Sequence, residues 1–199
     1  ASTVASSSTT LSPITLGTAT LGAYGTTSVS VTVNQDGKPF LTPLEVTFNS
    51  SCVGTGKASI TKTVTTIAGV ATASYVDDGC ASTDIISASV AGVTTPSTQS
   101  LVVASPSLGS IQFVSASPSN ITLKGTGGSG QSETSLVKFK VVDQAGKPIK
   151  ADVNFALSTS IGGLSLSSSA ATSDATTGLV QTNVKSGTIA TPVRVTATV

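Results

Sequence analysis

The amino-acid sequence predicts an all-β protein made of two tandem antiparallel β-sandwich domains. Three observations lead to this prediction. Polar and apolar residues alternate in many short runs, and no segment of any length has the helical period. Turn residues separate these runs at intervals of about 8 to 12 residues, as in a sandwich. One turn is also present twice, as VNQDGKPF at residues 33–40 and as VDQAGKPI at residues 142–149.

The repeated turn divides the 199 residues into two domains. Its glycines, Gly37 and Gly146, are 109 positions apart, which is the length of a small domain rather than of a solenoid repeat. We therefore predict domain 1 at residues 1–104 and domain 2 at residues 105–199.

Each copy of the turn is predicted to end a strand, because Pro39 and Pro148 cannot continue a central ladder. The apolar residues before the turn lie an even number of positions from Gly37 but an odd number from Gly146. A shift of one residue exchanges the two faces of a strand. The sequence therefore predicts either a β-bulge or a different turn in one of the two copies.

Four aromatic side chains are predicted to lie in the two cores. Phe48 and Phe155 occupy the same position of a V-x-F run in each domain. Tyr75 and Phe139 lie on the apolar faces of alternating strands. Loss of a buried phenylalanine costs about 3 to 5 kcal/mol, so these positions are expected to dominate the packing of each domain.

Both cysteines of the chain, Cys52 and Cys80, belong to domain 1. They are either a pair of buried thiols or a disulfide that closes a loop of 29 residues, and the disulfide is favoured. Such a loop is expected to stabilise the domain by roughly 3 to 4 kcal/mol. A disulfide also indicates an oxidising, extracytoplasmic environment.

The composition excludes several classes of partner. Charged residues make up 10% of the chain, against about 25% in ordinary soluble proteins, and the net charge is +1. No broad basic field exists, so nucleic acid is not expected as a partner. No apolar run approaches the roughly 18 residues that span a bilayer, so no membrane insertion is expected within this chain. Any export signal or anchor is expected to lie outside it.

No enzymatic, cofactor or metal site is predicted. The chain has no histidine, and its nine carboxylates are spread over turns without an aromatic-lined cleft. The stretch at residues 125–130 satisfies G-x-G-x-x-G, but the residues after it favour a strand where a dinucleotide site needs a helix. Asp77, Asp78 and Asp84 either ligate Ca²⁺ or form a solvated turn beside Cys80, and the turn is favoured.

The second repeat carries the motifs of a known family. These are V-x-D-x-x-G-x-P at residues 141–148, V-x-F at 153–155, T-S-D-A-T-T-G at 172–178 and V-T-A-T-V at 195–199. They resemble the group 1 bacterial immunoglobulin-like domains that occur in tandem in intimin- and invasin-type surface proteins. The first repeat departs from the pattern, with Asn34 where Asp is usual. The resemblance covers nearly the whole chain and implies two immunoglobulin-like domains outside the cell, at the bacterial surface.

Three functions are compatible with the sequence. The favoured one is a non-catalytic stalk, spacer or adhesin segment whose partners are neighbouring immunoglobulin-like domains. The second repeat ends at Val199, equivalent to Val90, so domain 2 is predicted to lack its last strand. In a second hypothesis, residues 1–11 of an identical subunit complement that open edge and build a fibre. In a third, loops such as residues 124–133 bind a host receptor or glycan at a cell surface.

Overall fold

A computed structural model of the chain describes residues 8–199. It divides into two compact units, one that ends at Pro106 and one that comprises Ser107–Val199. We describe each unit by itself and keep the names domain 1 and domain 2. The finer boundary predicted between residues 104 and 105 stays a prediction.

Domain 1 is built from short strands in which alternate residues are buried. β-Branched residues dominate them, as the pleated surface of a sheet favours. Within the described residues the strands are β1 (Thr9–Leu11), β2 (Thr15–Leu16), β3 (Thr20–Leu21), β4 (Thr26–Gln35), β5 (Lys38–Pro39), β6 (Glu45–Ser50), β7 (Ala58–Ile60), β8 (Thr63–Thr65), β9 (Val70–Asp77), β10 (Thr83–Val90) and β11 (Ser97–Val103).

These strands form two sheets that enclose the core of domain 1. The first sheet has the order β1-β4-β9-β7, with β2 and β5 also paired to β4. The second has the order β3-β11-β10-β6-β8. All pairs are antiparallel except β3 with β11. The side chains of Phe48, Tyr75, Ile86 and Leu101 are fully buried between the sheets.

Domain 2 repeats this arrangement with fewer strands. Its Phe139 and Phe155 rings are buried with their centroids 5.9 Å apart. The two sheets have the orders β12-β13-β17-β15 and β16-β14-β18. Within the described residues the strands are β12 (Leu108–Ser117), β13 (Thr134–Asp143), β14 (Asp152–Leu157), β15 (Ser165–Leu166), β16 (Ala170–Thr172), β17 (Leu179–Lys185) and β18 (Val195–Thr198).

Two short helical segments interrupt the strands. The helix α1 (Ser51–Gly54) follows β6, and Ser50 caps it by accepting a hydrogen bond from the N–H of Val53 at 3.2 Å. A 3₁₀ turn covers Ile161–Gly163 in domain 2. Both are too short to give a periodic pattern, which explains why the sequence indicated none. No helix in the part of the chain that the structure describes is long and apolar enough to cross a membrane.

The two copies of the repeated turn differ in length. In domain 1, Asp36 and Gly37 form a two-residue turn with φ of 51° and 77°, the signature of a type I′ hairpin. In domain 2 the loop has three residues, 144–146. It is closed by hydrogen bonds from the N–H of Gly146 to the Asp143 carbonyl and from the N–H of Asp143 to the Lys147 carbonyl. A different turn therefore accounts for the change in spacing.

The backbone register confirms that the second turn is one residue longer. The N–H of Val33 bonds to the carbonyl of Gly69, and the N–H of Val141 bonds in the same way to Gly178, at 2.8 Å in both cases. The register consequently places Gln35 at the position of Asp143. The alignment of Asn34 with that aspartate, which the sequence motif suggested, is wrong by one residue because the loops differ in length.

The carboxylate of Asp143 organises the longer turn, and its removal is expected to destabilise domain 2. Its Oδ1 accepts hydrogen bonds from the N–H groups of Ala145 at 2.9 Å and Lys147 at 2.8 Å, and the side chain is buried. We expect Asp143→Ala to lower the free energy of unfolding of domain 2 by at least about 2 kcal/mol. Gln35→Ala is the control in domain 1 and should cost less than about 0.5 kcal/mol. Equal effects in denaturant titrations would contradict this role.

Candidate functional site

The disulfide of domain 1 joins a helix to a loop. Cys52 lies in α1, after β6, and Cys80 lies in the connection between β9 and β10. The structure contains the bond between them, with the two Cα atoms 5.7 Å apart. Both side chains are buried. The bridge therefore ties the end of β6, in the second sheet, to the connection by which the chain leaves β9 of the first sheet.

A buried carboxylate lies beside the disulfide. Asp84, on β10, has no exposed surface. Its Oδ2 accepts hydrogen bonds from the Ser50 hydroxyl at 2.6 Å and from the Tyr75 hydroxyl at 2.9 Å. Its Oδ1 accepts one from the N–H of Cys52 at 3.0 Å. These bonds compensate for the removal of the charge from water and connect β6, α1, β9 and β10.

The buried network changes the acidity of Tyr75. Burial, and then the hydrogen bond to Asp84, raise the pKa of the phenol above its usual value of about 10. The unfolded chain therefore releases this proton at lower pH than the folded domain. The resulting stability is complete below pH 10 and is lost progressively as the pH rises above that value.

This shift gives a prediction for alkaline conditions. We expect the phenolate absorbance of Tyr75 to appear only when domain 1 unfolds, and we expect domain 1 to lose stability above about pH 10. An ultraviolet titration followed together with circular dichroism measures both. In Tyr75→Phe the delayed phenolate signal should vanish. Reversible ionisation of both tyrosines in the folded protein would show that the phenol is not held in this way.

Asp77 has a second structural role in the same region. This buried side chain accepts hydrogen bonds from the N–H of Tyr24 at 2.7 Å and from the N–H of Cys80 at 2.8 Å. Tyr24 has φ of 61°, so the carboxylate stabilises a backbone conformation that is uncommon for a residue with a side chain. Asp77 thus fixes the loop before β4 and the loop that carries the disulfide.

The structure does not assemble the three candidate calcium ligands. Within the described residues, Asp77, Asp78 and Asp84 do not form one group of neighbouring oxygens. The group with metal-ligand distances consists of Cys52, Cys80 and Asp84. Its two sulfur atoms are bonded to each other, so they cannot act as thiolate ligands. The carboxylates of Asp77 and Asp84 serve the protein backbone and side chains instead.

The glycine-rich loop of domain 2 folds around an acidic side chain. Glu133 Oε1 accepts hydrogen bonds from the N–H groups of Gly125 at 2.8 Å and Gly127 at 3.0 Å. β13 follows the loop, as expected, where a dinucleotide site would need a helix. Two of the backbone donors that a phosphate would use are therefore occupied by Glu133.

The repeated turn packs against a second repeated glycine in each domain. Gly69 has φ of 85°, and a Cβ placed there would lie 3.1 Å from the Cβ of Pro39. Gly178 has φ of 71°, and a Cβ there would lie 2.3 Å from the carbonyl oxygen of Val141 and 3.4 Å from Pro148. In each domain, the proline of the turn thus packs against the glycine that precedes β9 or β17. The sequence indicated the turn prolines but not their contact with these glycines.

Comparison with known proteins assigns this fold. No family model and no curated protein matches the sequence. Among solved structures, invasin, described as a bacterial integrin-binding protein, aligns over 94% of this chain and 36% of its own, with 19% identity and a TM-score of 0.60. The chain consists of tandem immunoglobulin-like domains. This result confirms the predicted all-β, immunoglobulin-like fold class.

Other structures with immunoglobulin-like domains also align along most of the chain. The D0-D1 domains of intimin match with 19% identity, 94% coverage of this chain, 90% of that chain and a TM-score of 0.42. The adhesin InvE of Yersinia pseudotuberculosis matches with 15% identity, 90% and 51% coverage and a TM-score of 0.48. The chain thus spans about a third of invasin and half of InvE. The predicted resemblance to the immunoglobulin-like domains of invasin-type proteins is confirmed by the match to invasin.

Proposed function

We propose that the chain is a non-catalytic structural module of a bacterial surface protein, which acts outside the cell as a stalk, spacer or adhesin segment. The observation that carries this proposal is that the buried carboxylates have structural roles. Asp77, Asp84 and Asp143 each accept hydrogen bonds from loops or strands of their own domain. They stabilise immunoglobulin-like domains and do not converge on a cleft where chemistry could occur.

One further feature favours a position outside the cell. Disulfides persist in oxidising compartments and are rare in the cytosol, and domain 1 contains one.

The fibre hypothesis has less support than the stalk. Thr9–Leu11, part of the proposed donor strand, pairs with β4 of its own domain, with Leu11 opposite Val33. An exchange between subunits would have to break this pairing first. Residues 1–7 of the proposed donor lie outside the described residues.

The oligomeric state separates a stalk from a fibre. We expect light scattering and negative-stain microscopy to find monomers for the full chain and for a variant that lacks residues 1–7. This deletion leaves β1 intact, so domain 1 keeps its edge strand. Filaments that form with the full chain and vanish in the variant would contradict the stalk proposal and show that the chain is a self-assembling subunit.

A binding experiment separates a stalk from a receptor- or glycan-binding module. Beads coated with the full chain are expected to bind neither host cells nor immobilised glycans above the level of uncoated beads. The loop at residues 124–133 is the candidate for such binding, so Glu133→Ala, which removes its internal acceptor, is the matched variant. Saturable binding that this variant alters would assign the adhesive function to the loop.

A further inference from the structure

Three buried side chains around the disulfide of domain 1 carry the donor atoms of a metal site. The sulfur atoms of Cys52 and Cys80 and a carboxylate oxygen of Asp84 all lie within 4.8 Å of one another. In the oxidised domain the two sulfur atoms are bonded to each other. Reduction of this bond frees both sulfur atoms as ligands, next to a carboxylate that is already in place.

The backbone of both cysteines is held by hydrogen bonds that do not involve sulfur. The N–H of Cys52 donates to Asp84 Oδ1 at 3.0 Å, and the N–H of Cys80 donates to Asp77 Oδ1 at 2.8 Å. Cys52 also belongs to α1, which Ser50 caps. Loss of the bond between the sulfur atoms leaves these interactions intact. The reduced cysteines are therefore expected to stay close to each other and to Asp84.

The hydrogen bonds of Asp84 orient its carboxylate and leave room for a cation. All three donors are neutral groups, namely the hydroxyls of Ser50 and Tyr75 and the N–H of Cys52. A carboxylate has about four lone-pair positions, so one of them remains for a further partner. Buried charges in proteins are usually paired with an opposite charge or bound to a metal ion. A cation at the remaining position would supply a positive charge that the three donors do not.

The spacing of the donor atoms suits a tetrahedral ion. With Zn–S bonds of about 2.3 Å and a Zn–O bond of about 2.0 Å, the three ligand atoms lie roughly 3.5 to 3.8 Å from one another. This separation is within the observed limit of 4.8 Å. The Ser82 hydroxyl oxygen lies 3.5 Å from the sulfur of Cys80, where it can donate a hydrogen bond to a thiolate. Hydrogen bonds of this kind orient the ligands of metal sites.

We propose that domain 1, when its disulfide is reduced, binds one Zn²⁺ ion through the thiolates of Cys52 and Cys80 and the carboxylate of Asp84, with water at the fourth position. Two thiolates select zinc over Ca²⁺ and Mg²⁺, which prefer oxygen ligands. The same loop is thus closed by the disulfide under oxidising conditions and by the ion under reducing conditions. This inference does not depend on the stalk function.

The two states of the site are connected by thiol–disulfide exchange and by metal binding. A dithiol reductant transfers two electrons and two protons to the bond between Cys52 and Cys80, becomes a disulfide itself and leaves two thiols. Zn²⁺ then replaces the two thiol protons, which are released to water. An oxidising disulfide reverses both steps, because it removes the two electrons, re-forms the bond between the sulfur atoms and releases the ion.

Metal titration of the reduced chain tests the proposal. The full chain is reduced with a trialkylphosphine, which is converted to the phosphine oxide, and the excess is removed in the absence of oxygen. Zn²⁺ binding is followed by calorimetry, and Cd²⁺ binding by the ultraviolet charge-transfer absorption of its bonds to thiolate. We expect the reduced chain to bind one ion with a Kd below about 1 μM. The oxidised chain should show no charge-transfer absorption.

Matched variants separate the three ligands from their neighbours. Cys80→Ser and Asp84→Asn each remove one ligand and should weaken binding to the reduced chain at least about tenfold. Asp78→Asn makes the same change of charge in the loop beside Cys80, outside the group of donor atoms, and should change the affinity little. Cys80→Ser keeps the hydrogen bonds of Asp84, so it tests the site even where Asp84→Asn unfolds domain 1. Circular dichroism verifies that each reduced variant is folded.

Zinc should also protect both thiols of the reduced chain from alkylation and raise the unfolding temperature of domain 1, because an ion that binds the folded state stabilises it. A folded, reduced chain that binds no Zn²⁺ at about 100 μM would overturn the proposal. Equal binding by the oxidised chain or by reduced Cys80→Ser would do the same. None of these results bears on the stalk function, which the oligomeric state and the binding of coated beads test.

Discussion

Asp84→Ala is expected to lower the free energy of unfolding of domain 1 by at least about 3 kcal/mol. The substitution leaves the Tyr75 hydroxyl and the Cys52 N–H without their acceptor in a site closed to water. Each unpaired buried donor costs about 1 to 3 kcal/mol. The Ser50 hydroxyl loses its acceptor as well, although it still caps α1.

The tyrosines make this prediction measurable in one domain. Both tyrosines of the chain, Tyr24 and Tyr75, belong to domain 1, so tyrosine fluorescence in a denaturant titration reports the unfolding of that domain. A double-mutant cycle with Tyr75→Phe isolates the contact between the two side chains. We expect a coupling energy of about 1 to 3 kcal/mol. Additive effects of the two substitutions would show that the hydrogen bond contributes nothing.

Loss of the disulfide is the second large effect. We expect Cys52→Ala with Cys80→Ala to destabilise domain 1 by about 3 kcal/mol, because the unfolded chain regains the entropy of a closed loop. The residues joined are 28 positions apart. The N–H of Cys52 keeps its bond to Asp84 in the variant, so this effect is separable from that of the buried carboxylate.

Domain 2 serves as the internal control for this variant. It contains no cysteine, so its unfolding, followed by the amide exchange of its core strands, should not change. Treatment of the native chain with a reductant should reproduce the loss seen in the double variant. If tyrosine fluorescence reported the same midpoint for the native, reduced and substituted proteins, the disulfide would have no stabilising role.

The sequence predicted those features that are encoded in local patterns. Alternation in β4 and β13, the V-x-F runs around Phe48 and Phe155 and the repeated turn all follow from a few neighbouring residues. The structure buries Phe48, Tyr75, Phe139 and Phe155. The difference in spacing before Gly37 and Gly146 also carried correct information, because a longer turn in domain 2 produces it.

The buried network could not be predicted, because its members are distant along the chain. Asp84 is 34 positions from Ser50 and 9 from Tyr75, and nothing in its own neighbourhood distinguishes it from a solvent-facing aspartate. From the sequence alone, Asp84 is therefore expected either to ligate Ca²⁺ or to form part of a solvated turn. The role of Glu133 was missed for a related reason, since glycines give no sign of the acceptor around which they fold.

The bond between Cys52 and Cys80 has a mechanical consequence for a chain pulled at its two ends. Tension passes through the covalent bridge, so the residues inside the loop bear no load and do not extend when domain 1 unfolds. An extended chain measures about 3.5 Å per residue. The disulfide closes 28 positions, so roughly 100 Å of chain is not released when domain 1 unfolds under tension. Under force, domain 1 would therefore lengthen by roughly 100 Å less than its number of residues allows, whereas the entire chain of domain 2 is free to extend.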